Sequence, residues 1–246
     1  MGSKLKWISR AITALISYLF ISAPEKKLLF LDHFFAKEVH VFIFEHPWFI
    51  LFILIIAYIV VEFIATYRNR NKTIENQCQN MCRYIYRHID RNIGSDFTHS
   101  IRITIFKAMK PNTEDVYLKA VSRYQVKEPL KKTRVTFRPG EGVAGCCFQT
   151  QNLIYGHLSE YTERTAETYY RESKNIYNLG RDKIDQLNIK SCLFLGIPIK
   201  CFDTEKTWGV LLLDSTKRDE KFSKDFARKI EEIIEHYTAF FTEGDK

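Results

Sequence analysis

No C-x-x-C pair occurs among the six cysteines of this 246-residue chain. Cys78 and Cys82 stand four apart on an expected helix, Cys146 and Cys147 are adjacent, and Cys192 and Cys201 flank an expected strand. That spacing draws neither a zinc site nor a disulfide framework, and reduced, mostly buried thiols are the default. A zinc finger, a helix-turn-helix and a basic-aromatic stripe are equally missing. After residue 72 the 28 basic side chains are nearly matched by 24 acidic ones, so nucleic acid is not an expected partner. No Ser, His and Asp grouping and no supported pair of carboxylates stands out, so the sequence assigns no catalytic residue, no metal and no enzyme activity, and it names no cofactor. His157 reads as a surface loop histidine. No kinase, cyclase, ATPase or DNA-binding region fits in the 246 residues, so a pocket here is expected to act through membrane segments, a dimer interface or another protein.

What is present in abundance is apolar side chain near the N-terminus. Residues 47–67 are almost wholly Trp, Phe, Ile, Leu, Val, Ala and Tyr after Pro47, interrupted by one charge, Glu62, and followed by Arg68, Arg70 and Lys72. At ~1.5 Å per residue such a helix reaches roughly 30 Å, one hydrocarbon core, and predicts a membrane span. About half of the net charge of +8 lies in the first 72 residues, with nine Lys and Arg against five acids. The positive-inside tendency then places residues 73–246 in the cytoplasm, under an inner (plasma) membrane. Glu62 either marks a function inside the span or snorkels towards Arg68 at the interface.

The preceding segment is open to several readings. Lys6, Arg10, Thr13 and Ser17 line one stripe of an otherwise apolar helix, which suits an interfacial helix; a crossing over 7–23 instead makes a hairpin with 47–67. A cleaved signal peptide is a third reading, with Pro24 a poor neighbour for the cleavage site. Residues 24–46 alternate charge with Phe30, Leu31, Phe34 and Phe35, as a flat amphipathic helix or an interfacial loop does. The organisation expected is therefore a membrane-anchoring region, 1–72, and one cytosolic domain, 73–246.

That domain opens on an expected helix over 73–93, with Ile74, Cys78, Met81, Cys82, Ile85, Ile89 and Ile93 three or four apart. Ile101, Ile103 and Ile105 alternate with Arg102, Thr104 and Phe106 as a strand does, and further strands are expected at 116–121 and 133–137. Residues 143–149 read as a short helix, 152–155 as another strand and 155–186 as a polar, Tyr-rich stretch. Residues 191–199 and 209–214 read as an antiparallel hairpin, and 221–241 as a closing amphipathic helix. The apolar stripes Ile74, Cys78, Met81, Ile85 and Phe226, Ile230, Ile233, Tyr237 suggest a homodimer, unless the domain's own sheet covers them.

Gly140-x-Gly142-x-x-Gly145 matches the dinucleotide fingerprint, but only one or two helical turns separate it from the next strand, and no buried strand nearby ends in an acid. Phe137-Arg-Pro-Gly140-Glu-Gly142-Val-Ala-Gly145, the helix and strand after it, then Ser191-Cys-Leu-Phe-Leu-Gly-Ile-Pro198 and Trp208-Gly209-Val-Leu-Leu-Leu-Asp214-Ser215 before a long amphipathic helix, resemble the GAF domain family over residues 74–242. The resemblance implies an α+β fold: a central antiparallel sheet, with helices on one face closing a ligand chamber and the two terminal helices on the other, often in a dimer bundle. By the same resemblance the candidate ligand-binding residues are Val143, Cys146, Cys147, Tyr169, Tyr170, Arg171, Tyr177, Ser191 and Leu193, with Arg171 suited to an anionic group. The family's cyclic-nucleotide Asn-Lys position holds Asp214-Ser215 here, and its chromophore Cys-His pair is missing. The function expected is a membrane-anchored small-molecule sensor or effector. A non-sensing membrane adaptor that dimerises and recruits a protein, and a methionine sulfoxide reductase-like enzyme using Cys146 and Cys147, are the alternatives.

Overall fold

A computed structural model describes residues 47–110, 114–126, 135–204, 206–238 and 241, without the side chains of 47–51, 54 and 68. The chain divides into two units, Met1–Lys72 and Thr73–Lys246. In chain order the elements are α1 (Pro47–Asn92), α2 (Ser95–Thr98), β1 (Ile101–Met109), β2 (Tyr117–Tyr124), β3 (Thr136–Phe137) and α3 (Gly142–Thr150). They continue with β4 (Ile154–His157), α4 (Ala166–Tyr177), α5 (Arg181–Asp185), β5 (Leu193–Lys200), β6 (Thr207–Ser215) and α6 (Lys224–Tyr237).

The first unit corrects the sequence reading. The apolar run of 47–67 is not an element of its own but the start of a 46-residue helix in which Glu62, Arg70, Lys72 and Glu75 follow one another. Among the described residues no helix is long and apolar enough to cross a membrane. The anchor, the inner-membrane location with a cytoplasmic domain, the membrane as partner and the signalling route through the membrane segments lose their basis together. The other arm of the expected hairpin, 7–23, lies outside the described residues, as does the connecting stretch 24–46.

In the second unit all five strand pairings are antiparallel, and the sheet order is β3-β2-β1-β6-β5-β4. The central strand β6 is buried at every residue. It therefore reads as a continuous apolar run rather than as an alternation, because it has cover on both faces. One face carries Ile101, Ile103, Ile105, Leu195, Ile197, Leu211 and Leu213, and on it pack Cys78, Met81, Ile85 and Ile89 of α1 with Phe226, Ile230 and Ile234 of α6. Ser223 caps α6, its hydroxyl accepting from the Phe226 N–H at 3.3 Å. The stripes that suggested a twin helix are thus consumed at home: Cys78, Met81, Ile85 and Ile230 are fully buried, and Ile233 and Tyr237 pack at the margin of the same core. An apolar sheet face must be covered, and the chain covers this one itself.

The opposite face carries Phe106, Ala108, Leu118, Val210 and Leu212 beneath α3 and α4. The polar, Tyr-rich stretch 155–186 supplies both α4 and α5, with Tyr169, Ser173 and Tyr177 of α4 and Ile184 of α5 buried. The result is an α+β architecture, a six-stranded antiparallel sheet with helices on both faces, and among the described residues no helix that could cross a membrane.

Candidate functional site

The site lies on the second face, where strand pairing sets two rows of side chains side by side. Arg123 of β2 pairs with Thr104 of β1, which pairs with Leu212 of β6. One row along, Arg102 of β1 pairs with Asp214 of β6, which pairs with Phe194 of β5. Strand side chains alternate faces, so Arg102, Thr104 and Phe106 point away from the core that holds Ile101, Ile103 and Ile105. These residues floor a chamber of about 50 Å³, roofed by Val143 and Ala144 of α3 and by Tyr169, Ser173 and Tyr177 of α4.

The glycine turn positions α3. Gly140 and Gly142 adopt φ of 78° and 66°, the left-handed region where glycine is unstrained. The Gly140 N–H donates to the Gly145 carbonyl at 2.9 Å, and a Cβ on Gly145 would overlap the Arg138 carbonyl. Gly145 therefore serves the turn that precedes the helix. Glu141 secures the same turn from its side chain, accepting from the Arg138 N–H at 2.9 Å and from Lys183 of α5 at 2.6 Å. At the far side, Gly156 of β4 leaves room for the Tyr177 hydroxyl, which a Cβ would strike.

The polar groups of the floor are organised around Asp214. Arg102 donates its Nε–H to Asp214 Oδ1 at 3.0 Å and its Nη2–H to Oδ2 at 2.5 Å, and the Ser191 hydroxyl donates to Oδ2 at 2.5 Å. Both partners are nearly out of water, at 11% and 1% side-chain exposure. The Tyr169 hydroxyl donates to the Ser191 carbonyl at 2.9 Å, and burial, with Asp214 nearby, holds that phenol well above its ordinary value. Arg123 is half-buried and donates Nε–H to Thr104 Oγ1 at 3.3 Å. Burial first, then the adjacent Arg102, lowers its guanidinium to about 10, with Asp214 opposing. The Ser173 hydroxyl is buried at the chamber wall with no hydrogen-bond partner.

Of the residues named from sequence, Val143, Tyr169, Tyr177 and Ser191 line the chamber. Cys147 is buried beneath α3, its thiol directed to the Asn152 carbonyl at 3.3 Å, and burial pushes it up to about 12. Cys146 is half-exposed, its thiol 3.9 Å from the Tyr177 carbonyl and likewise pushed up by burial. Tyr170 sits outside, donating to Asp185 at 2.7 Å under the Arg181 guanidinium. Arg171 is exposed, on the outer side of α4. Leu193 is buried in the other core, since its parity along β5 is that of Leu195 and Ile197 rather than of Phe194. His157 is exposed at the end of β4.

Sequence reasoning missed Arg102, Thr104, Arg123 and Ser173. The signal was there in β1, where Arg102 and Thr104 alternate with isoleucines, but alternation alone assigns the polar set to solvent. Among the described residues no cluster of His, Cys, Asp or Glu could hold a metal ion.

No family model matches the chain, and no curated protein matches it. Among solved structures it is similar to type II free methionine-R-sulfoxide reductase from Thermoplasma acidophilum, at 12% identity and a TM-score of 0.40 over 70% of this chain and 98% of that one. It is similar to the GAF domain region of a putative membrane protein from Geobacter sulfurreducens, at 12% identity and a TM-score of 0.45 over 70% and 95%. It is also similar to fRMsr of Staphylococcus aureus in complex with substrate, at 14% identity and a TM-score of 0.42 over 72% and 95%. Likenesses this distant carry no argument about this chain.

Proposed function

We propose that the Thr73–Lys246 unit is a small-molecule-binding module whose ligand occupies the chamber between the sheet and helices α3 and α4. The observation that carries this reading is the chamber's make-up: an apolar pocket into which Arg102, Arg123, Asp214 and the unpartnered Ser173 hydroxyl converge. The Ser173 hydroxyl is the clearest sign among them, since a buried polar atom without a partner costs about 1–3 kcal/mol in a packed core. A few convergent polar groups in an apolar cavity are what a ligand site requires. The reading assigns no reaction to the chain. A reductase-like activity would need a thiolate, whereas burial holds both Cys146 and Cys147 towards the protonated form.

A second reading, a module that dimerises and recruits a protein without a ligand, is favoured by the chamber's small size, about 50 Å³. Thermal unfolding of the full chain separates the two, with a panel of organic acids, amino acids, sugars and nucleosides tested against an Ala144→Phe variant that fills the chamber. A ligand at 100 times its Kd stabilises by about 2.7 kcal/mol. The ligand-binding reading expects one class to raise the midpoint of the native chain and to leave the variant unmoved. No shift with any class, together with an Ala144→Phe chain more stable than the native one, sinks it.

A further inference from the structure

We infer that the chamber's ligand is a small organic monoanion, a short carboxylate with an apolar body, whose charged end is seated against Arg123. The inference rests on the ligand-binding reading above and adds the ligand's chemistry.

Charge is the first ground. Among the described residues lining the chamber there are two guanidiniums, Arg102 and Arg123, and one carboxylate, Asp214. Arg102 meets that carboxylate with two donors, and Ser191 donates to it as well, so Asp214 is satisfied. The excess is one positive charge, on Arg123. Its Nε–H is spent on Thr104, and the Nη groups, which form the edge suited to a carboxylate, make no hydrogen bond within the described residues. A half-buried cation beside a second cation is an unfavourable arrangement until an anion arrives. The lowering of Arg123 by burial and by Arg102 has the same origin.

Shape and polarity restrict the anion. A cavity of about 50 Å³ has room for roughly four water-sized bodies, so a nucleotide is excluded and a ligand of a few heavy atoms fits. Away from the arginines the walls are Phe106, Phe137, Val143, Phe194 and Leu212, which accommodate a short hydrocarbon better than a second charged group. A single excess cation and an apolar remainder together favour a monocarboxylate over a fully polar dianion such as phosphate. The Ser173 hydroxyl supplies one further polar contact on the α4 side.

The test is calorimetric titration of the full chain with propionate, with its neutral isostere propionamide and with inorganic phosphate, at constant ionic strength. Propionate is expected to bind saturably, and propionamide and phosphate at least about tenfold more weakly. Arg123→Gln is expected to reduce propionate affinity by about tenfold or more, with Arg123→Lys retaining part of it. Equal binding of propionamide, tighter binding of phosphate, or unchanged propionate affinity in a folded Arg123→Gln chain overturns the inference. So does the absence of saturable propionate binding. If a neutral or cationic member of the broader panel still binds in a manner abolished by Ala144→Phe, the ligand-binding reading stands while the carboxylate inference falls; if nothing binds, both fall.

Discussion

Arg102 lies directly opposite Asp214 in the β1–β6 register and grips both oxygens of its carboxylate, at 3.0 and 2.5 Å. This pair ties the two central strands of the sheet across the floor of the chamber and is almost wholly removed from water. Two desolvated charges do not by themselves stabilise a fold, because their attraction is offset by the hydration they give up. Breaking one of them is another matter, since the survivor is left buried and uncompensated.

Asp214→Ala is accordingly expected to destabilise the chain by about 3–5 kcal/mol in urea unfolding, and Arg102→Met/Asp214→Leu by far less. A double-variant loss equal to the sum of the Asp214→Ala and Arg102→Met losses would show that the pair is not coupled.

Ser173→Ala is expected to act in the opposite direction. The hydroxyl is 1% exposed by residue and has no partner, so removing it relieves a cost of about 1–3 kcal/mol. The variant should unfold at higher urea than the native chain while losing affinity for the chamber's ligand, the exchange of stability for function common at binding sites. A destabilised variant would mean that the hydroxyl is satisfied in solution.

Gly145→Ala tests the turn that places α3. The added Cβ meets backbone, the Arg138 carbonyl, which cannot swing aside as a flexible side chain does. A loss of about 1–3 kcal/mol is expected, with weakened ligand binding because Val143 and Ala144 move with the helix. Unchanged stability would place the turn differently.

His88 confers a pH dependence distant from the chamber. It stacks on Phe226 at 5.7 Å between rings, and burial, then Lys229 and Arg91, lower its pKa from the ordinary imidazole value. The folded chain therefore binds this proton less readily than the unfolded one. The contribution is fully present above about pH 6.5 and is lost as pH falls below it. Stability measured between pH 7.5 and 5.5 should decline with acidification, and His88→Gln should reduce that slope; an unchanged slope assigns the decline to other groups.

The sheet and its two end helices were legible because their signal is local. Ile101, Ile103 and Ile105 alternate as a strand does, the run before Asp214 is continuously apolar, and the stripe Phe226, Ile230 carries the helix period, each reinforced by tertiary packing. Four of the nine residues named for the site, Val143, Tyr169, Tyr177 and Ser191, do line the chamber. The charged floor was not legible, because which face of β1 is buried depends on the helices above it, and here both faces are. Arg171 was the natural guess for an anion within the Tyr-rich stretch. Arg123, forty-eight residues earlier, takes the place only through the pairing of β2 with β1. The membrane span is the expectation that did not hold: among the described residues no helix is long and apolar enough to cross a membrane, and the apolar run belongs to a helix that continues through Arg70, Lys72 and Glu75 to Asn92.

Methyl-resolved NMR of the full chain, titrated with the most stabilising member of the small-molecule panel, tests the central claim most directly. Leu212 faces the chamber, while its neighbours Leu211 and Leu213 face the other core. Occupation of the chamber predicts saturable shifts at the methyls of Val143, Ala144 and Leu212, with Ile103, Leu211 and Leu213 little changed. Shifts spread evenly over both faces, or none at the chamber methyls while the ligand binds, would contradict it.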